Sequence, residues 1–181
     1  METQNWVRQI DQITQKAQET FGSLAPEALN RKPAAEGWSI AQCLDHLMVT
    51  NQSYWPVVQE VRTGTYRAPW HARFGFLTRF FGNIVLGSVQ PDRRRKMKTF
   101  PIWEPAQSDL PGDIVARFAN HQSELKELIR SSEDLLAGGT VISSPANRII
   151  VYKLATAFDI IVTHEERHLE QALEVLALQS R

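Results

Sequence analysis

The chain has little that would constrain it covalently or electrostatically. Its only cysteine is Cys43, so a disulfide within the chain is excluded and a reducing compartment is expected. Its 20 Lys and Arg residues balance its 20 Asp and Glu residues, so the overall charge offers no general attraction to nucleic acid or anionic lipid. With 181 residues and 43% apolar residues, the chain predicts one globular domain over residues 1–181.

Targeting and membrane-spanning segments are also missing from the pattern. Residues 1–12 contain no basic stretch followed by an apolar one, so we expect no secretory signal. The apolar run 74–89 is short and is interrupted by Arg79 and Asn83, which argues against a transmembrane helix. We therefore expect a soluble, cytoplasmic protein that has neither nucleic acid nor a membrane as its partner.

Apolar residues recur at helical spacing in four stretches, which predict helices over residues 3–24, 39–58, 111–136 and 145–178. Ser39 and Gln42 form a capping box at the start of the second helix, and Pro56 is expected to kink that helix. Ser144 and Pro145 predict the N-cap and first residue of the fourth. Since no strand pattern is convincing, the sequence predicts an all-α four-helix bundle.

A long irregular segment separates the predicted second and third helices. Within it, residues 70–84 predict a short amphipathic helix that could lie across the mouth of a pocket. Residues 62–98 contain nine Lys or Arg and one acid, Asp92, and end in the basic run Arg93–Lys98. Such a run is usually a solvated surface. The alternative is a positive rim for an anionic substrate, such as the carboxylates of a small thiol.

Three histidines are candidate metal ligands. His164 and His168 lie four residues apart, so their imidazoles share one helix face at a spacing that can grip one ion. His46, at the border of the apolar face of the second helix, is the best candidate for a third ligand. Three neutral imidazoles with an open fourth position suit Zn²⁺, and also Ni²⁺ or Fe²⁺ if water or a carboxylate joins. On spacing alone, three ordinary histidines without metal remain the alternative.

The stretch from His164 to His168 also matches H-E-x-x-H, the zinc protease signature in which Glu165 would be the general base. That signature needs a third ligand further along the chain. The 13 residues after His168 contain no histidine, and Glu170 and Glu174 are too close on the same helix to complete the site comfortably. A peptidase is therefore disfavoured.

The sequence gives weaker evidence for the roles of other residues near the predicted ligands. Glu165 falls within the apolar face of the fourth helix and so needs a partner, either a ligating histidine, a buried ion pair or the Trp38 N–H. His121 lies on the apolar stripe of the third helix and is interpreted as a core or second-sphere residue. Gln171 neighbours the histidines and is another second-sphere candidate. Cys43 is predicted as a core residue, not a nucleophile.

Three segments together resemble the DinB-like (YfiT-like) metalloprotein superfamily: residues 28–33 (Ala-Leu-Asn-Arg-Lys-Pro), 37–47 (Gly-Trp-Ser-Ile-Ala-Gln-Cys-Leu-Asp-His-Leu) and 164–171 (His-Glu-Glu-Arg-His-Leu-Glu-Gln). The resemblance covers most of the chain and is weakest over residues 62–98. It implies an up-down-down-up four-helix bundle and a divalent metal bound by His46, His164 and His168. We expect this metal to be Zn or Ni in preference to Fe. The resemblance also implies that a homodimer is common.

The resemblance implies a reaction class as well. Members of the superfamily include bacillithiol-dependent S-transferases and mycothiol-dependent maleylpyruvate isomerase, while others are described as metal-dependent hydrolases. We therefore expect a metal-dependent S-transferase whose partners are a low-molecular-weight thiol and an electrophile. The alternatives are a metal-dependent hydrolase and a non-catalytic, metal-binding stress-response module.

Overall fold

Helices dominate the computed structural model, which describes residues 2–92, 99–105 and 108–179. The helices are α1 (Glu2–Phe21), α2 (Pro26–Asn30), α3 (Ile40–Gln52), α4 (Tyr54–Arg62), α5 (Gly75–Ser88), α6 (Ile114–Ser131), α7 (Glu133–Ala137) and α8 (Leu154–Gln179). Short 3₁₀ helices cover Trp70–Arg73 and Pro101–Trp103, and two strands, β1 (Val141–Ser144) and β2 (Asn147–Lys153), form a hairpin. The basic run Arg93–Lys98 lies outside the described residues.

Four long helices form the bundle. α1 packs against α6 and α8, and α3 packs against the same two helices. Side-chain pairs show that α1 and α8 run in one direction and that α3 and α6 run in the other. These pairs are Trp6–Asp159 and Gln9–Glu166 (α1 with α8), Asp45–Arg117 and Asn51–His121 (α3 with α6), and His46–His168 and Asn51–Glu165 (α3 with α8). The predicted all-α bundle is confirmed, with its up-down-down-up order.

The core lies between these helices and follows the predicted apolar stripes. The five stripe residues of α1 are all buried: Trp6, Ile10, Ile13, Ala17 and Phe21. Cys43 on α3 has no exposed surface, which confirms it as a core residue. No helix within the described ranges combines the length and the apolarity needed to cross a bilayer.

The predicted fourth helix is wrong over its first turns, where the structure has the β-hairpin. Val141 pairs with Lys153 and Ile142 with Tyr152, in antiparallel register. The segment is rich in β-branched residues, which suit a half-buried strand better than a helix. Pro145 therefore lies in the turn between the strands, and α8 begins nine residues later than predicted, at Leu154.

The predicted second helix is interrupted rather than merely bent. Ser53 separates α3 from α4, three residues before Pro56. Because Pro56 has no N–H to donate to the carbonyl of Gln52, it is compatible with the first turn of a new helix but not with the middle of a continuous one. α5 confirms a helix within the irregular segment, where Gly82 packs against Thr156 at the start of α8. That contact lies eight residues, about 12 Å along the helix, from His164.

The capping box at the start of α3 should contribute measurably to the stability of the protein. The Gln42 backbone N–H donates to Ser39 Oγ, and the Ser39 backbone N–H donates to Gln42 Oε1, each at 3.1 Å. Ser39→Ala should lower the free energy of unfolding by about 1 kcal/mol, measured by urea denaturation. The control is Ser123→Ala at an exposed position within α6, which should change it by less than about 0.5 kcal/mol. Equal effects of the two variants would show that the cap is unimportant.

Candidate metal centre

The bundle brings three histidines together where α3 packs on α8. His46 comes from α3, and His164 and His168 come from successive turns of α8. One ring nitrogen from each lies within 4.8 Å of the other two. The Nε2 atoms of His46 and His164 are 3.3 Å apart. The predicted ligands therefore share one site, although His46 and His164 lie 118 residues apart in the sequence.

This donor set fits a divalent metal ion. Two nitrogens bound tetrahedrally at 2.0–2.1 Å are about 3.3 Å apart, which equals the distance between the Nε2 atoms of His46 and His164. No carboxylate or thiol of the described residues joins the three histidines in this cluster. Three imidazoles alone leave a coordination position for water or substrate, as in catalytic zinc sites. The cluster is therefore one that can hold a metal ion.

A backbone carbonyl orients the first of these rings. The Nδ1–H of His46 donates to the Trp103 carbonyl oxygen over 2.7 Å, which leaves the Nε2 lone pair directed at His164. A ligating histidine commonly has such a partner on its other nitrogen. Sequence reasoning missed Trp103, because a backbone carbonyl can come from any residue and the segment around it has no periodic pattern.

The surroundings of His46 and His164 keep these two rings neutral, as metal ligation requires. Burial lowers the pKa of His46 to about 4, although the bond to the Trp103 carbonyl acts in the opposite direction. Burial also lowers the pKa of His164 well below its usual value, and the nearby charges of His168, His46 and Arg167 add to this. Both rings therefore offer lone pairs at neutral pH.

An indole ring forms one wall of the cluster. The Trp38 ring stacks on His168, with 5.6 Å between centroids and 18° between planes, and lies 4.8 Å from the His46 ring. Trp38 thus limits the rotation of two rings and covers one side of the site. His164 remains partly exposed, whereas His46 and His168 are buried, so access is from the side of His164.

Comparison with known proteins agrees with this geometry. A family model for the DinB superfamily matches residues 9–172. The chain belongs to the DinB superfamily. No match to it was found among curated proteins or among solved structures. The matched range includes all three histidines, so the predicted family is confirmed over the part of the chain that forms the site.

Between its two α8 histidines, this DinB chain buries a carboxylate. Glu165 has no exposed surface, and it accepts hydrogen bonds from Asn51 Nδ2 at 2.7 Å and Gln122 Nε2 at 2.8 Å. Burial raises the pKa of Glu165 to about 7, and the two hydrogen bonds from the side-chain amides partly oppose that rise. The partners are therefore amides from α3 and α6, rather than a ligating histidine or the Trp38 N–H that the sequence suggested. The carboxylate joins three helices of the bundle.

The other two second-sphere candidates lie differently. His121 is buried, with Nε2 3.3 Å from Asn51 Nδ2 and its ring 5.5 Å from that of Trp55. It is connected to Glu165 through Asn51, so the structure places it in the buried polar cluster. Gln171 lies three residues beyond His168 on α8 and is partly buried, and its second-sphere role stays a prediction.

The hydrogen bond between Asn51 and Glu165 predicts that these two residues are strongly coupled in their effect on stability. Asn51→Leu, of similar size, should lower the free energy of unfolding of the metal-free protein by about 2 kcal/mol or more, because it leaves a buried acceptor without its donor. Glu165→Met added to Asn51→Leu should cost much less than Glu165→Met alone. Urea denaturation of the four proteins in this cycle measures the coupling.

An exposed asparagine gives the control for that cycle. Asn5→Leu on α1 removes an exposed hydrogen bond to Gln9 and should change stability by less than about 0.5 kcal/mol. Strictly additive losses for Asn51 and Glu165 would contradict the coupling.

Proposed function

We propose that this DinB-superfamily protein is a metal-dependent S-transferase that uses a low-molecular-weight thiol. The observation that supports it most is the cluster of three imidazoles, of which burial keeps His46 and His164 neutral, with no fourth protein ligand among the described residues. A divalent ion held there would supply the Lewis acidity that lowers the pKa of a thiol to near neutrality. In the reaction, the thiol sulfur bonds to an electrophilic carbon, the leaving group departs from that carbon, and the thiol proton passes to solvent or to the leaving group.

The residues around the cluster have distinct tasks in this proposal. His46, His164 and His168 hold the ion. Trp38 excludes water from the side of the site that it covers, so the thiol approaches beside the more exposed His164. The guanidinium of Arg167, which donates to the Gln90 carbonyl, provides a positive charge close enough to lower the pKa of His164. That charge favours an anionic thiolate or a thiol bearing carboxylates.

A hydrolase with the same three ligands is the second candidate. It is favoured by the same open position, at which water rather than thiol would be activated. Glu165 is a poor proton carrier for either reaction, because its two oxygens are directed at Asn51 and Gln122 within the bundle. A non-catalytic metal-binding module is the third candidate, and the possible homodimer remains a proposal with each of them.

Metal content tests the cluster itself. Protein purified without a histidine tag should contain about one equivalent of Zn, Ni or Fe per chain. His46→Ala and His168→Ala should each weaken binding more than about 100-fold, the upper range for changes to outer-sphere partners. His71→Ala is the control, since His71 bonds to the Ile149 carbonyl outside the cluster. Elemental analysis after dialysis measures the content, and metal retained by His46→Ala would contradict the site.

Turnover tests the reaction. Metal-loaded protein should join a small thiol to an activated electrophile, and removal of the metal by a chelator should abolish turnover, with recovery when Zn²⁺ or Ni²⁺ is restored. Conjugate formation is followed by mass spectrometry across a panel of thiols and electrophiles. Product release without added thiol would favour the hydrolase. No turnover from a fully loaded protein would contradict both enzyme proposals and leave the binding module.

A further inference from the structure

A stripe of large apolar side chains faces solvent on α5. Phe76, Phe80 and Ile84 are 69%, 56% and 53% exposed. Their four-residue spacing places them on one side of the helix, opposite the buried Thr78 and Gly82. α5 packs inward through these two small residues together with Val85 and Leu86, while three of its bulkiest side chains face outward, where a surface helix ordinarily has polar residues.

The apolar surface extends beyond the helix. Trp70, in the 3₁₀ helix before α5, is 72% exposed, and its ring contacts Phe74, which in turn contacts Phe76. Ile149 of β2 is 63% exposed, and its carbonyl accepts a hydrogen bond from His71 beside Trp70. We call this surface, formed by Trp70, Phe76, Phe80, Ile84 and Ile149, the α5 face. Contiguous apolar patches on soluble proteins commonly mark interaction sites.

The charge around the α5 face is mostly positive. Residues 63–92 and 141–153 contain one exposed acid, Asp92, and five Lys or Arg, all exposed: Arg67, Arg73, Arg79, Arg148 and Lys153. The whole chain is neutral, so this excess is local and is balanced elsewhere. Arg73 lies over the rings of Trp70 and Phe74, 5.8 Å and 4.9 Å from their centroids, which brings positive charge directly onto the apolar surface.

We propose that the α5 face docks onto an anionic lipid bilayer. Helices that lie in the plane of the membrane interface typically present aromatic and aliphatic side chains surrounded by basic ones. α5, about 21 Å long, presents such a stripe along its length. Contact between the α5 faces of two copies is disfavoured, because it would bring five cations from each copy together with only one acid, Asp92, from each.

This docking differs from spanning a membrane. The expectation that a membrane is no partner depended on overall neutrality and on the short apolar run, neither of which tells which residues of α5 face outward. The inference is independent of the metal and of the proposed reaction.

Vesicle binding by the full chain tests the proposal. The protein should sediment with phosphatidylcholine vesicles containing about one third phosphatidylglycerol, but much less with phosphatidylcholine alone, and binding should fall as salt rises. Trp70 should show a blue-shifted fluorescence on binding, a change that is absent in Trp70→Phe. No sedimentation with anionic vesicles, or equal binding to both kinds, would overturn the proposal.

Exposed-residue variants separate the α5 face from general stickiness. Phe76→Ser with Phe80→Ser should lower the partition coefficient at least about tenfold, and Arg73→Gln or Arg79→Gln about fivefold each on anionic vesicles only. Leu178→Ser, at another exposed apolar position, is the control and should bind as the parent does. Light scattering measures the oligomeric state and so tests the competing explanation, a dimer formed through the α5 face. A dimer dissociated by the Phe variants, without vesicle binding by the parent, would assign the face to a second copy instead.

Discussion

The site depends on how α3 packs against α8, and the buried Glu165 carboxylate is the polar interaction at that contact. Its hydrogen bonds to Asn51 and Gln122 connect α8 to α3 and to α6. Slipping one helix along another would break these hydrogen bonds. That slip is unfavourable, because an ionisable group with no exposed surface is costly unless it is well hydrogen-bonded. The same contact brings His46 to His164 and His168, and the register of the helices therefore sets the geometry of the three imidazoles.

Around that contact, the site is asymmetric. The Trp103 carbonyl and the Trp38 ring orient the buried histidines, while His164 is the most exposed of the three. A metal held rigidly by protein on one side and open on the other suits binding and activation of a small molecule better than a purely structural role. A thiol and water would use the same open position, so the two proposed reactions share one site.

Much of this arrangement could be predicted from residue spacing. The apolar stripe of α1, the Ser39 cap and the two histidines four residues apart are local patterns, and each has a direct structural consequence. The hairpin before α8 was missed because Ser144–Pro145 is as typical of a helix start as of a turn. Trp103 and Gln122 could not be found from sequence, because their contacts with His46 and Glu165 span 57 and 43 residues and depend on tertiary packing.

X-ray absorption at the K-edge of the bound metal tests the central claim most directly, because it reports the atoms around the ion rather than its mere presence. The structure predicts three imidazole nitrogens at about 2.0–2.1 Å, together with one or more oxygen ligands or the sulfur of an added thiol. The imidazole contribution should fall by one nitrogen in any His46→Ala protein that is forced to load. A first sphere made of oxygen alone, or one unchanged by loss of His46, would contradict a metal centre formed between α3 and α8.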